Sequence, residues 1–280
     1  MKRRYLSSLA AVGFAALFYG PHSALAQGYL GPNLNPYAVL AGTTVTCTGA
    51  SNITGDVGVS PGSAITGFPA SCTATGTLQI PPASDPGQAE LLTAYGTLAG
   101  LPCSSTVGPD LAGLTLVQGV YCVNAAASNL TGTLILDAQG NTNAVWVFRM
   151  SSSLITSSGS TVSVINGGSA CGVQWQVSSS ATIDTGTTFL GNILALTSIA
   201  LNTGANLTGR ALALNGAVTL DANNVSFAPC GTGGGVGGPP PPFPVPVPTL
   251  PEIGAWVLLA VLLGTGAYLL RRRTPTATSR

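Results

Sequence analysis

Residues 171–227 read CGVQWQVSSSATIDTGTTFLGNILALTSIALNTGANLTGRALALNGAVTLDANNVSF, and one pattern recurs along them. At a shift of 18 residues, Phe189 falls on Leu207 and Val225. At ~3.3 Å per strand residue, a unit of this length makes about three short strands with corners between them. Because so short a unit buries a core only by stacking on its neighbours, the stretch predicts a parallel β-solenoid of closed coils.

The repeat is irregular, because Ile199 and Leu201 align better with Val218 and Leu220 at a shift of 19 residues. Coil length therefore varies, and the chain is expected to be dominated by β-structure. Apolar runs predict further strands at 114–123, 132–137 and 143–148. The last run is almost continuous, which is typical of a strand buried on both faces.

One segment, at about residues 85–100, has helical rather than strand periodicity. We expect Asp85 to cap this helix, with Pro86 in its first turn. Gly100 and Pro102 are expected to end it. The predicted apolar face comprises Leu91, Leu92, Tyr95, Leu98 and Ala99. An isolated helix would leave this face in water, so the helix should pack along the solenoid.

Charged residues are scarce in the predicted mature domain. Between Gln27 and Cys230 the basic residues are Arg149 and Arg210, and lysine is absent. Nucleic acid is excluded as a partner because its phosphate backbone requires a basic stripe. The single histidine, His22, precedes Gln27, which removes histidine-based catalysis and metal ligation. We therefore expect a non-enzyme without metal or cofactor.

Both ends of the chain carry targeting patterns. Basic residues 2–4, an apolar run and the small residues 24–26 predict a signal peptide over 1–26, with an N-terminal membrane anchor as the alternative. The domain is expected at 27–230, followed by a Gly/Pro-rich linker at 231–248. Within 249–280, apolar residues 253–270 are long enough to span a bilayer, and arginines 271–273 would keep the C-terminus in the cytoplasm.

Six cysteines remain in the exported domain, and an even number in an oxidising compartment favours disulfides. Fifteen pairings are possible. We favour pairs of sequence neighbours because solenoid coils contact only their neighbours. The favoured pairs are Cys47 with Cys72, Cys103 with Cys122, and Cys171 with Cys230. Six free thiols are the alternative.

Residues 55–69, GDVGVSPGSAITGFP, resemble the N-terminal signature of the ice-binding-protein-like family, domain of unknown function 3494. Residues 144–150, 171–177 and 209–225 resemble its later blocks. The resemblance covers about residues 28–229. It implies an irregular right-handed β-solenoid of triangular section with the helix alongside. Ice binding is the best-known activity of this family, and many members have no demonstrated activity.

Some ice-binding members carry a Thr-Ala/Gly-x-Thr/Asn motif on a flat face. Residues 185–188 (TGTT) and 203–206 (TGAN) are similar to it, whereas 221–224 (DANN) begins with an acid. With Phe189 inward, alternation places the next side chains outward. The predicted ice-binding residues are Thr188, Asn206, Asn224, Thr208 and Ser226, extended across a corner by Thr185 and Thr203. Alternatively, Thr and Asn lie there because they suit β ladders and corners.

The tail from residue 248 resembles the IPTL-CTERM sorting signal, a relative of PEP-CTERM tails, although Ile253 stands where tryptophan is frequent. This implies a Gram-negative exporter, a sorting enzyme of exosortase type, and a domain released or displayed at the cell surface. A permanent single-pass anchor is the alternative. The domain is expected to be monomeric.

Two functions remain compatible with the sequence: ice binding, and an adhesion module that binds polysaccharide or other cells. A sugar site usually needs a groove with aromatic stacking, and Trp175 is the only Trp or Tyr between Cys171 and Cys230. Ice is therefore favoured. The carboxylates Asp137, Asp184 and Asp221 could in principle form a glycosidase pair, but no acidic doublet or basic partner supports that reading.

Overall fold

The computed structural model describes residues 29–227. The regular secondary structure of this part of the chain is mostly β-strand. Its strands, in chain order, are β1 Tyr37–Ala41, β2 Thr44–Thr48, β3 Asn52–Thr54, β4 Asp56–Val59, β5 Ala64–Thr66, β6 Thr73–Ala74, β7 Leu78–Gln79, β8 Ser105–Val107, β9 Thr115–Val117, β10 Gly119–Val123, β11 Ala127–Leu130, β12 Thr133–Asp137, β13 Trp146–Met150, β14 Ser153–Thr156, β15 Thr161–Ile165, β16 Val173–Val177, β17 Ala181–Ile183, β18 Thr188–Leu190, β19 Asn192–Ala195, β20 Ile199–Leu201, β21 Asn206–Thr208, β22 Ala211–Ala213, β23 Val218–Asp221 and β24 Asn224–Ser226. One α-helix, α1, spans Asp85–Gly100, and a 3₁₀ turn spans Ala170–Gly172.

The strands form three sheets in which every described pairing is parallel, as the repeat predicts. Sheet A has the order β7-β4-β1-β22-β19-β16-β13-β10-β8. Sheet B has the order β11-β14-β17-β20-β23-β2-β5, and sheet C the order β6-β3-β24-β21-β18-β15-β12-β9. Three consecutive strands, such as β16, β17 and β18, visit the three sheets in turn. Each such coil stacks on the next, at ~4.8 Å between adjacent strands.

The order of the coils in space differs from their order in the chain. The first coil, β1–β3, pairs with the last, β22–β24, and Thr46 lies beside Thr219 in sheet B. The following strands β4–β7 complete that end of the stack. Helix α1 connects them to β8, at the opposite edge of sheet A. The C-terminal coil is therefore in the middle of the stack.

Helix α1 has the predicted bounds and packs on sheet A, where it contacts β1, β13, β16 and β19. Its buried side chains include Leu91, Ala94 and Leu98. Leu92, predicted on the same face, is 62% exposed, because Ala94 rather than Leu92 completes the stripe toward the sheet.

The predicted cap at Asp85 is also wrong. Ser84 precedes the helix, and its hydroxyl donates to the Val59 carbonyl rather than capping the helix. Asp85 instead accepts a hydrogen bond from Ser60 at 2.6 Å. Both contacts tie the start of the helix to the end of β4.

The interior is filled by the predicted inward columns, and Phe189, Leu207 and Val225 are all buried. Four aromatic rings form a row across neighbouring coils. Their centroids are separated by 5.7 Å from Tyr121 to Phe148, by 4.1 Å from Phe148 to Trp175, and by 4.9 Å from Trp175 to Phe189. Tyr121, Phe148 and Trp175 come from three successive coils, so their stacking holds these coils in register, whereas Phe189 belongs to the same coil as Trp175.

Glycines form the tight corners between sheets C and A. A Cβ on Gly209 would lie 1.9 Å from the carbonyl oxygen of Gly191, which occupies the same corner of the neighbouring coil.

A corner of the same kind at Gly119 explains why one predicted strand boundary was wrong. The run 114–123 was predicted as one strand, but the chain bends there, and β9 lies in sheet C whereas β10 lies in sheet A.

Disulfides join Cys47 to Cys72 and Cys103 to Cys122, which confirms two of the favoured pairs. Cys171 is also disulfide-bonded, but its predicted partner, Cys230, lies outside the described residues. The predicted signal peptide, linker, sorting signal and apolar segment 253–270 lie outside them too. Between residues 29 and 227, α1 is too short and too polar to cross a bilayer, and no other helix there has the required length.

Candidate functional site

The outer surfaces of the three sheets differ in accessibility. Sheet A lies beneath α1, and its outward residues Gln174, Gln176 and Asn192 are buried. The outward side chains of sheets B and C are mostly exposed or half-buried. Sheets B and C therefore provide the two open faces of the described domain, and we call these face B and face C.

Face C carries the residues predicted from the repeat, and the structure places them in straight rows. Thr188 pairs in register with Asn206, and Asn206 with Asn224. All three side chains are exposed. Thr208 and Ser226 form the neighbouring row, also in register. We call these five residues the face C strip.

The corner between sheets B and C explains most of the four-residue motif without any ligand. Gly186 and Gly204 have φ angles of 65° and 70°, in the left-handed region that glycine tolerates best. The third motif residues, Thr187 and Ala205, are fully buried. Only the first and fourth positions of the motif present a side chain at the surface, since the second position is glycine.

The corner threonines Thr185 and Thr203 are engaged by carboxylates. The Thr203 hydroxyl donates to Asp221, and Thr185 hydrogen-bonds the Asp184 carboxylate. Asn202 also donates to Asp184, at 2.9 Å. These two hydroxyls therefore hold charges in place at the corner, in contrast to the predicted extension of a flat strip.

The donors around Asp184 stabilise its ionised form. Hydrogen bonds from Asn202 and then Ser158, the latter at 2.7 Å, lower the pKa of the Asp184 carboxyl to about 2. Asp184 is therefore negatively charged at any pH at which the protein would act. The corner between faces B and C bears a fixed negative charge.

Face B carries a row of outward residues that the sequence did not reveal. Each member pairs in register with the next, across all seven strands of the sheet. We call this row the face B column, and its members in order are Asn129, Ile155, Thr182, Ala200, Thr219, Thr46 and Thr66. None carries a charge.

A second row runs beside the face B column, two residues earlier in the sequence, and three of its members, Ser180, Ser198 and Ala217, immediately precede their strands. It is composed of small residues, in order Ala127, Ser153, Ser180, Ser198, Ala217, Thr44 and Ala64. The two rows make a surface of methyl and hydroxyl groups with strands ~4.8 Å apart. In the centre of the face, the hydroxyls of Thr182, Thr219 and Thr46 make no side-chain hydrogen bond to any described residue, so they are available to a ligand.

The three carboxylates considered for glycosidase chemistry are not brought together. Asp137 is on β12 in sheet C and accepts hydrogen bonds from Asn166 and the Gln139 amide. Asp184 follows β17 and Asp221 ends β23, so both lie at the corner where sheet B leads into sheet C. Each carboxylate accepts hydrogen bonds from neighbouring donors, and Asp137 lies apart from the other two.

Stacked parallel coils with two open faces that carry many hydroxyl groups define a β-solenoid. The chain belongs to the Ice-binding-like family, whose model matches residues 39–226. An ice-binding protein from Nostoc sp. (strain HG1) is 46% identical over 230 residues, which cover 81% of this chain and 84% of that protein. An ice-binding protein from Flavobacterium frigoris (strain PS1) is 32% identical and covers 68% of this chain and 73% of that protein.

Solved structures show the same fold. The crystal structure of an ice-binding protein from an Antarctic biological consortium has a TM-score of 0.67 and 41% identity, covering 70% of this chain and 89% of that one. One from the Antarctic ascomycete Antarctomyces psychrotrophicus has a TM-score of 0.67 and 37% identity, covering 70% and 96%. None of these relatives is described as an adhesion module, so the adhesion alternative gains no support.

Proposed function

We propose that this protein adsorbs to ice through an open, flat sheet face. The observation that carries the proposal is the face B column, an uncharged row in register across seven strands, in which four of the seven residues are threonine. The ice-binding relatives support the ligand. The face B column is the surface that would contact the ice.

Ice is a rigid lattice of uncharged water molecules, so it favours a rigid protein surface that bears hydroxyl and methyl groups. A threonine on a strand is restricted at χ1 by its branched Cβ. Its methyl and hydroxyl groups are therefore held in place before contact, and little side-chain entropy is lost on adsorption. A charged side chain would instead retain its own hydration water at the interface.

Face B meets these requirements better at its centre than face C. The four central members of the face B column are Thr182, Ala200, Thr219 and Thr46, of which three are threonine. The corresponding row on face C continues from Asn206 through Asn224 to Asn52, whose terminal amide torsions are broad. We therefore assign the principal contact to face B, and the face C strip remains a second candidate.

The test is the shape of ice crystals grown in purified protein covering residues 27–230. Wild type should shape the crystals, and a Thr182→Tyr, Thr219→Tyr double variant should lose most of this activity because two rings project from the plane. Thr93→Tyr, on the exposed side of α1, is the matched control and should behave as wild type. A folded double variant with unchanged ice shaping would exclude face B as the principal contact, and an inactive wild type would exclude the function itself.

We propose further that the domain is exported and monomeric, and that its coils form a right-handed solenoid of triangular section. Three parallel sheets and structural disulfides support this arrangement. The tail is proposed to be a sorting signal with a membrane-spanning segment, handled by an enzyme of exosortase type at the surface of a Gram-negative cell. Mass measurement of the exported protein tests both processing sites, since a mature N-terminus at Gln27 and loss of the segment 253–270 are expected.

A further inference from the structure

We propose that face C is a second adsorption surface, and that it docks on a different set of ice crystal planes from face B. This inference rests on the proposed function. Face C resembles face B in the features that matter for ice, because its rows run in register and its strip residues are uncharged and open. The consequence is one rigid molecule with two ice-binding orientations.

The row through the face C strip is as long as the face B column. It extends in register over seven strands of sheet C, and its members in order are Thr133, Thr161, Thr188, Asn206, Asn224, Asn52 and Thr73. Beneath it, Phe189, Leu207 and Val225 are fully buried and hold the backbone of these strands against the core. The row is therefore a supported plane rather than a mobile loop.

The charged corner separates the two faces. Asp184 and Asp221 lie between them and accept hydrogen bonds from Asn202, Ser158 and Thr203. An ionised carboxylate held in this way stays hydrated. The free energy needed to remove its water would exceed the free energy gained from contact with ice. Ice contact is therefore not expected to continue around the corner, so each face acts as its own binding surface.

The two faces also belong to different sheets of the same coils, joined by a bend at Gly186 and Gly204. A rigid body cannot lay two differently oriented faces on one crystal plane. If both adsorb, molecules must be found in two orientations, and because the centre of the face B column is rich in threonine whereas the corresponding row of face C is rich in asparagine, the two orientations are expected on two sets of planes. Adsorption through face B alone would give one set.

The experiment is fluorescent staining of an oriented single ice crystal. A fluorescent protein is fused after residue 230, because described residues 29–227 contain no lysine for chemical labelling. Wild type is compared with the face B variant (Thr182→Tyr, Thr219→Tyr), the face C variant (Thr188→Tyr, Asn206→Tyr) and all four changes together. Thr93→Tyr serves again as the control, and thermal unfolding confirms that each protein is folded.

Wild type should stain two sets of planes, each double variant should lose one of them, and the fourfold variant should stain none. Staining of a single set by wild type, or a face C variant that stains as wild type does, would overturn the second surface. Loss of both sets in the face B variant alone would also overturn it, because face C would then not act independently. Wild type that stains no plane would refute ice binding itself and is distinguishable from these outcomes.

Discussion

The guanidinium carbon of Arg210 lies 4.0 Å from the centre of the Phe227 ring, so a buried cation is stacked on the last described residue. The same side chain donates to the carbonyl and the side-chain oxygen of Asn35, at 3.0 and 2.9 Å. Burial lowers the pKa of Arg210 to about 10. Arg210 thus fastens the loop before β1 to the C-terminal end of the domain.

Replacing Arg210 with lysine should destabilise the domain, because an ammonium group lacks the planar fork that reaches both oxygens of Asn35. The expected loss is about 1.5–3 kcal/mol for a hydrogen bond to a charged group. Urea unfolding of Arg210→Lys, Asn35→Ala and the combined variant measures the coupling between the two residues. Fully additive effects would contradict the proposed link.

The glycine corner between sheets C and A should tolerate no side chain. A Cβ on Gly209 would meet the Gly191 carbonyl oxygen at 1.9 Å, and backbone cannot move aside easily. Gly209→Ala should therefore cost about 3 kcal/mol or prevent folding. Gly204→Ala is the matched control, since no atom lies within 4 Å of its Cβ and only its positive φ is penalised, by about 1 kcal/mol. Equal melting temperatures for the two variants would disprove the close approach.

Stability should be independent of pH near neutrality and fall only in acid. The pKa of Asp184 is lowered from 3.8 to about 2 by Asn202 and Ser158, and that of Asp137 is lowered by Asn166. Folded-state pKa values below the unfolded ones stabilise the fold above about pH 4 and lose this contribution as the pH falls toward 2. Melting temperatures from pH 2 to 9 test this, and Asp184→Asn should weaken the acid dependence. A marked change in melting temperature between pH 5 and 8 would contradict this expectation.

The disulfide between Cys47 and Cys72 should stabilise the end of the stack where β5 and β6 are the edge strands. Changing both cysteines to alanine is expected to lower the free energy of unfolding by ~2–4 kcal/mol. Ice shaping at low temperature should persist, because neither side chain is exposed on a face. Loss of activity in a variant that remains folded would show that this end of the stack shapes the ice contact.

Ile155 marks one end of the flat part of face B. It is 41% exposed and lies in the face B column between Asn129 and Thr182. Ile155→Thr should lengthen the plane and raise the ice-growth inhibition measured at equal protein concentration, whereas Ile155→Lys should reduce it. A weaker Ile155→Thr variant would show that the bulky side chain contributes to the contact.

Much of the fold follows from short-range pattern. The shift of 18 residues placed Phe189, Leu207 and Val225 inward and Thr188 outward, and the helix bounds followed from one change in periodicity. The face B column was missed because its register depends on pairing between distant parts of the chain. Thr46 and Thr219 are adjacent in sheet B although 173 residues separate them, and no local pattern encodes that neighbourhood.

The four-residue corner motif says less about a ligand than the sequence suggested. Its glycine is needed for the positive φ angle of the backbone, and its third residue points inward. Two of the four positions therefore carry no information about a ligand. The helix face shows the same limit. Leu92 fits the helical spacing of apolar residues as well as Ala94 does. Only the packing of α1 on sheet A decides which of the two is buried.

The position of the C-terminal coil in the middle of the stack determines when face B becomes continuous. Strand β23 lies between β20 and β2, so face B stays divided into two separate pieces until the end of the domain has left the ribosome. Contacts this distant in sequence also form slowly. An incomplete chain therefore has no continuous face B, and adsorption through that face would require the whole described domain.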